Sequence, residues 1–184
     1  RPPRSTLFPY TTLFRSPLLS APGRLHLDWL YQDGNDANDA FEPYDHTLSL
    51  WHQSQAGRFG LGLDVTWAHG LDGRPDVLGL TVLPTWQAAT NLLRRGDALV
   101  AVLRYQCAFS NGDDGLAPQP RYEAEVAPAG AGDRYHAVYG GLNYLVFGDR
   151  LKLMTGVEWA VLAGGAGDGG YNGWTWFSGV RCHF

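Results

Sequence analysis

The segment RFGLGLDVTWAH, residues 58–69, alternates strictly between large apolar residues and residues that are polar or small. Its apolar residues are Phe59, Leu61, Leu63, Val65 and Trp67. Because successive side chains of a β-strand point to opposite faces of the sheet, this period of two predicts a strand with one apolar and one polar face.

Eight segments follow this pattern, separated by clusters of Gly, Asp, Asn and Pro, so the sequence predicts an all-β fold. They span residues 24–31, 46–54, 58–69, 77–87, 98–110, 134–147, 151–162 and 173–184. The two faces of segments 46–54 and 134–147 are less distinct, and their orientation stays open. Short and long connections alternate, with 88–97 as the exception, which favours an antiparallel up-and-down arrangement with its short turns at one edge.

Strand length favours a membrane barrel over a soluble, lipocalin-like barrel. Several segments have eleven or more residues, whereas soluble strands have about five or six and a tilted transmembrane strand needs about 9 to 11. Aromatic residues also recur towards strand ends, as interfacial girdles require. These are Trp51, Trp67, Trp86, Phe109, Tyr135, Trp159 and Trp174. We therefore expect a transmembrane β-barrel with its apolar face towards lipid.

Composition argues against several other classes of protein. The formal net charge is −4, which disfavours a nucleic-acid partner. Cys107 and Cys182 are far apart in sequence, and the six histidines show no metal-ligand spacing. We expect no cofactor, no metal and no catalytic centre.

Residues 1–16, RPPRSTLFPYTTLFRS, resemble the translation of a sequencing adaptor over all sixteen positions. We therefore expect this segment to lie outside the fold, and the barrel domain to span residues 17–184. The same interpretation implies that the natural N-terminal part, including any signal peptide, has been replaced.

The segments GDRYHAVYGGLNYLVFGDRLKLMTGVEWA and DGGYNGWTWFSGVRCHF make the chain resemble the phosphate-selective porin O/P family, from about His46 to Phe184. The resemblance implies a sixteen-stranded, usually trimeric porin of the bacterial outer membrane, of which these eight strands form the C-terminal half. It also implies contacts with outer-membrane lipid and with the barrel-assembly machinery. Trp176, Val180 and the terminal Phe184 resemble the C-terminal signal for insertion.

The function expected of such a porin is passive diffusion of small solutes through a water-filled channel, with anions such as phosphate among the candidates. The charged residues expected to line the pore are Arg58, Asp64, Arg104, Lys152, Glu158 and Arg181. No basic ladder matches the family residue by residue, so phosphate selectivity stays open.

Two alternatives remain open. One is a complete eight-stranded outer-membrane barrel with a structural, adhesive or rim-enzyme role, for which the adjacent Asp45 and His46 are a weak candidate pair. The other is a soluble ligand-binding barrel.

Overall fold

The computed structural model describes residues 12–14, 23–31, 44–71, 73–113, 115–116, 132–148, 150–164 and 170–183. It contains nine β-strands: β1 Thr12–Phe14, β2 Gly23–Tyr31, β3 Tyr44–Ala56, β4 Phe59–Gly70, β5 Val77–Thr90, β6 Ala98–Ser110, β7 Arg134–Leu145, β8 Leu151–Ala163 and β9 Tyr171–Cys182. Among these residues, no helix is long and apolar enough to cross a membrane.

The strands form one antiparallel sheet in chain order, in which each strand pairs with its neighbours in sequence. This confirms the all-β, up-and-down arrangement. The sheet is open, because β9 pairs with β8 and with no other described strand. Pro17 and Phe184, which the sequence predicts to lie near the same rim, are outside the described residues.

The short strand β1 lies within the segment that we expect to be foreign to the fold. Its three residues pair with residues 25–27 of β2. An exposed strand edge offers free N–H and C=O groups to any extended backbone nearby, so this pairing does not require a matched sequence. The assignment of residues 1–16 stays a prediction.

Cross-strand register divides the eight long strands into two faces. We call "apolar face" the face that carries Leu48, Leu63, Leu80, Leu103 and Val157, and "polar face" the face that carries Asp64, Gln106, Arg104, Tyr139 and Glu158. Register also orients the two ambiguous strands. In β3, Leu48 lies opposite Trp67, and in β7, Val138 lies opposite Trp159, so both point to the apolar face.

Large side chains on the apolar face are exposed, although they are hydrophobic. Of the 24 exposed large hydrophobic residues in the described part of the chain, twenty lie on this face. Trp174 and Trp176 on β9 are 74% and 77% exposed. The polar face instead holds a buried cluster on β7, β8 and β9, formed by Ala137, Ala160, Leu162 and Tyr171. This asymmetry is expected of a sheet that curves towards its polar face.

Aromatic side chains on the apolar face form two bands with an aliphatic region between them. The band near the long loops contains Trp29, Trp67, Phe109, Trp159 and Trp174, and the band near the short turns contains Phe59, Trp86 and Tyr144. Phe59 and Trp67 are separated by about 27 Å along β4, or about 20 Å after a typical barrel tilt.

Two residues expected in the aromatic girdle lie elsewhere. Trp51 lies opposite Asp64 and His26, and Tyr135 packs against the buried cluster, so both belong to the polar face. Position near a strand end does not fix the face, because a shift of one residue reverses it.

The connection between β5 and β6 is shorter than its sequence indicates. Strand β5 continues to Thr90, with a bulge between Gln87 and Ala89, so the turn contains only residues 91–97. No ladder pair joins β5 to β6 at residues 83 and 84, which allows Pro84 to lie within the sheet without a backbone N–H.

Candidate functional site on the polar face

The centre of the polar face holds an ion pair between strands β6 and β8. Nη2 of Arg104 donates a hydrogen bond to Oε2 of Glu158. Tyr139 on β7 lies between them in the cross-strand register, and the Arg104 guanidinium is 5.3 Å from the centroid of its ring. The side chain of Glu158 is 11% exposed and that of Arg104 is 34% exposed, so water reaches the cation more easily than the anion.

Glycines allow Tyr139 to lie across the sheet rather than stand away from it. Its hydroxyl group occupies the space where a Cβ atom would be at Gly141 and at Gly156. The ring then meets the edge of Phe177 on β9, with the two centroids 6.2 Å apart. The resulting group of Arg104, Tyr139, Glu158 and Phe177 forms a partly buried platform across four strands.

Further polar groups continue this face towards β3. Thr66 donates a hydrogen bond to Oδ1 of Asp64 at 3.0 Å, and its hydroxyl is 3.4 Å from that of Ser49. On the next strands, Nε2 of Gln106 donates to the hydroxyl of Thr81 at 3.3 Å. Asp64 and Thr81 lie opposite each other, as do Thr81 and Gln106, so a continuous row of polar side chains crosses β4, β5 and β6.

The remaining basic candidates lie near the edge with the short turns. Lys152 and Arg181 are opposite each other on β8 and β9. Arg58 lies in the turn before β4 rather than in the strand, because the turn needs both Gly57, with φ of +59°, and residue 58. Its carbonyl accepts a hydrogen bond from the backbone N–H of Gln87.

The six charged candidates therefore form two groups of two, with two residues left apart. The structure brings Arg104 and Glu158 together in an ion pair, places Lys152 beside Arg181, and leaves Asp64 and Arg58 at separate positions. The two pairs and Asp64 all lie on the polar face of the sheet.

Two residues of the expected insertion signal lie on the apolar face of the last strand. Trp176 is opposite Val157, and Val180 is opposite Leu153. The indole Nε1 of Trp176 donates a hydrogen bond to the hydroxyl of Thr155 at 3.0 Å. Phe184 lies outside the described residues.

The other chemical groups considered from the sequence do not assemble into a site. Nε2 of His46 is 4.0 Å from Oδ2 of Asp45, too far for a hydrogen bond. In the part of the chain that the structure describes, no three His, Cys, Asp or Glu side chains are grouped so that they could hold a metal ion. Cys107 is buried and Cys182 is exposed.

No known protein family, curated protein or solved structure matches this chain.

Sequence reasoning missed Tyr139 and Phe177. Both belong to the central platform, yet Tyr139 lies in a segment whose faces could not be assigned from hydropathy. A usable signal was present, since Gly141, two residues after the tyrosine and on the same face, leaves room for a ring lying along the sheet. Asp97, which organises the β5–β6 turn, was also missed.

Proposed function

We propose that this chain is part of an outer-membrane porin, with its apolar face towards lipid and its polar face towards a water-filled channel. The observation that carries the proposal is the exposure of twenty large hydrophobic side chains on one face of an up-and-down sheet. The proposed substrates are small solutes, with phosphate and other anions as candidates.

The exposed area is too large for a soluble monomer. If each of these side chains exposes about 50 Å², the face exposes on the order of 1,000 Å², whereas soluble monomers rarely exceed a few hundred Å² in one patch. At about 25 cal/mol per Å², removing this area from water is worth about 25 kcal/mol. A lipocalin-like soluble barrel would place these side chains in its interior instead.

Two aromatic side chains with polar atoms, near the middle of the apolar face, support its contact with lipid. Tyr105 and Trp176 lie outside the two aromatic bands, near the middle of their strands. The hydroxyl of Tyr105 is 2.9 Å from Nδ1 of His136, and the indole of Trp176 is bound to Thr155. Both polar groups are therefore satisfied within the sheet, as a water-free environment requires.

On strands β4 to β6, the polar face supports a wet surface. Asp64, Gln106 and Arg104 are all partly exposed. Asp64 accepts a hydrogen bond within its own strand, Gln106 donates to the neighbouring strand β5, and Arg104 donates to β8 across the intervening strand. In a channel, these groups would set the local potential that a passing ion experiences. Since Glu158 neutralises Arg104, selectivity for anions would have to come from the unpaired basic groups nearer the turns.

The open edge of β9 supports a barrel with more strands than these eight. An eight-stranded barrel has an interior that side chains fill, whereas about sixteen strands leave an aqueous channel. A closed eight-stranded barrel would pair β9 with β2, and these described strands are not paired. The small barrel with a structural or adhesive role remains the second candidate. On the porin proposal, partners include outer-membrane lipid, the barrel-assembly machinery and two further copies of the chain.

Solute flux tests the proposal. The protein encoded by the intact gene is reconstituted into liposomes, and the initial swelling rate is measured in isosmotic sugars of increasing size. A porin gives swelling that declines as the sugar becomes larger. Swelling at the rate of protein-free liposomes, with the protein shown to be inserted by its protection from protease, would refute the channel and favour the small barrel.

A further inference from the structure

The β5–β6 turn has a composition that neither the strands nor the channel explains. Its sequence is NLLRRGD, residues 91–97, and it lies at the edge with the short turns. Leu92 and Leu93 are 51% and 82% exposed, and Arg94 and Arg95 are exposed beside them. The turn thus presents two aliphatic and two cationic side chains together.

Asp97 holds the turn in one shape. Its side chain is almost fully buried, and its carboxylate accepts hydrogen bonds from the backbone N–H groups of Leu92, Leu93 and Arg94 at 2.7 to 2.9 Å. The hydroxyl of Tyr144 donates a further bond to it. Burial raises the pKa of Asp97, but these four hydrogen bonds outweigh it and lower the pKa to about 2. The carboxylate is therefore charged at neutral pH.

The other end of the turn is fixed as well. Oδ1 of Asn91 accepts the N–H of Gly96 at 2.7 Å, and both residues have positive φ, 55° and 89°. The guanidinium of Arg94 lies 4.4 Å from the centroid of the Phe147 ring, in the neighbouring turn. Because the backbone is already ordered, a ligand that binds the leucines and arginines pays little conformational entropy.

The turn continues the surface proposed to face lipid. Phe59 and Trp86 of the turn-side aromatic band stack with their centroids 6.4 Å apart, and the hydroxyl of Tyr144 in the same band donates its hydrogen bond to Asp97 within the turn. An aromatic band marks the level of lipid headgroups. Leu92 and Leu93 would then meet the boundary between headgroup and acyl chain, and the arginines would meet the phosphate groups.

Charge selects the kind of headgroup. Each of the three short turns at this edge carries an arginine, namely Arg58, Arg94 with Arg95, and Arg150. Among the described residues of these turns, the only acidic one is Asp97, whose charge is taken up by hydrogen bonds; Asp149 lies outside the described residues. A contact between this turn and the same turn of a second copy would bring two basic groups together, so a second copy does not fit this site electrostatically.

We infer that the β5–β6 turn is a binding site for an anionic phospholipid, with Leu92 and Leu93 against its acyl chains and Arg94 and Arg95 on its phosphate. This inference rests on the proposed membrane location. Attraction to an anionic bilayer surface should raise the association constant about fivefold for each arginine.

Tryptophan quenching by brominated lipids tests the inference. The protein encoded by the intact gene is folded into vesicles of phosphatidylcholine and phosphatidylglycerol, with bromine on the acyl chains of only one of the two lipids. Quenching of Trp86 is obtained as the difference between the chain and its Trp86→Phe variant. We expect brominated phosphatidylglycerol to quench Trp86 more strongly than brominated phosphatidylcholine at equal mole fraction.

A matched pair of variants assigns the effect to the turn. The double variant Arg94→Gln/Arg95→Gln should abolish the preference for phosphatidylglycerol. The control Arg74→Gln/Arg134→Gln removes the same charge at the opposite edge and should keep the preference. Equal quenching by both lipids in the unmodified chain would overturn the inference and leave the membrane proposal intact.

Two further outcomes would overturn the inference for different physical reasons. If Trp86 is not quenched by either lipid while the other tryptophans are, the turn is covered by protein, and the inference is wrong. If no tryptophan is quenched by either lipid, the chain is not in the bilayer, and both the inference and the proposed function fail.

Discussion

Replacement of Leu103 by arginine distinguishes a lipid-facing surface from a water-facing one. Leu103 is 50% exposed on the apolar face of β6. It lies five residues from the strand end at the short turn and seven from the end at the long loop, or about 17 and 24 Å along the strand. Its side chain is therefore close to the middle of the proposed membrane-spanning region.

The cost depends on what surrounds the side chain. At the middle of a bilayer, an arginine on the lipid face of a barrel costs about 2–4 kcal/mol, which corresponds to about a 30- to 1,000-fold change in the folding equilibrium. On a water-facing surface the same change stays within about 0.5 kcal/mol. Leu78, one residue from the start of β5 and 46% exposed, gives the comparison at the interface, where an arginine should cost about 0–1 kcal/mol.

The assay is equilibrium unfolding of the protein encoded by the intact gene, in phospholipid vesicles, by guanidinium chloride, and it is followed by the mobility difference between folded and unfolded protein on gels. The variants are Leu103→Arg, Leu78→Arg and, as a control on the polar face of the same strand, Gln106→Arg. We expect Leu103→Arg to lose about 2–4 kcal/mol of unfolding free energy, and Leu78→Arg and Gln106→Arg to lose at most about 1 kcal/mol. Equal losses at Leu103 and Leu78, or none at either, would refute the lipid-facing assignment.

Three further predictions concern single side chains. Glu158→Gln should lower the free energy of unfolding by about 1–2 kcal/mol, because it leaves Arg104 partly buried without its anion. In a double-mutant cycle, adding Arg104→Gln to this variant should recover part of the loss. Gly156→Ala should lower the free energy of unfolding by about 1–3 kcal/mol, because its methyl group would overlap the ring of Tyr139. The control Gly140→Ala has nothing within 4 Å of the new methyl group and should not produce this overlap. Asp97→Asn should destabilise the folded chain at neutral pH. Since folding lowers the pKa of Asp97 from 3.8 to about 2, its stabilising contribution is complete above about pH 4, and the difference from the variant should shrink as pH falls from 4 to 2. A difference that does not change with pH would contradict this role of the carboxylate.

Most of the fold could be predicted from the alternation of hydrophobic residues. The predicted strand 98–110 has the bounds of β6, and the prediction for 151–162 differs from β8 by one residue. These segments succeed because one pattern encodes both the strand and its buried or exposed face. The end of β5 was missed because the bulge near Gln87 moves its last residues out of the simple alternation.

The facing of β3 and β7 could not be predicted, because their hydropathy is mixed. In β3, Trp51 lies on the polar face, while His52 lies on the apolar one. In β7, two successive glycines leave no apolar side chain to mark a face at residues 140 and 141. Only the hydrogen-bonded register with neighbouring strands determines their orientation.

The candidate site was predictable in composition but not in arrangement. The alternation places Arg104 and Glu158 on polar positions of their own strands. Their contact joins residues 54 positions apart across an intervening strand, which local sequence does not encode. The shape of the β5–β6 turn depends likewise on a carboxylate that bonds to residues three to five positions earlier.

Single-channel recording tests the porin proposal most directly. The protein encoded by the intact gene is added to a planar lipid bilayer, and current is measured under voltage clamp in symmetrical salt. The proposed water-filled channel gives discrete, reproducible current steps. In a salt gradient, Glu158→Gln shifts the reversal potential towards greater anion selectivity, because the positive charge of Arg104 is no longer neutralised. Inserted protein that produces no current steps would contradict the porin.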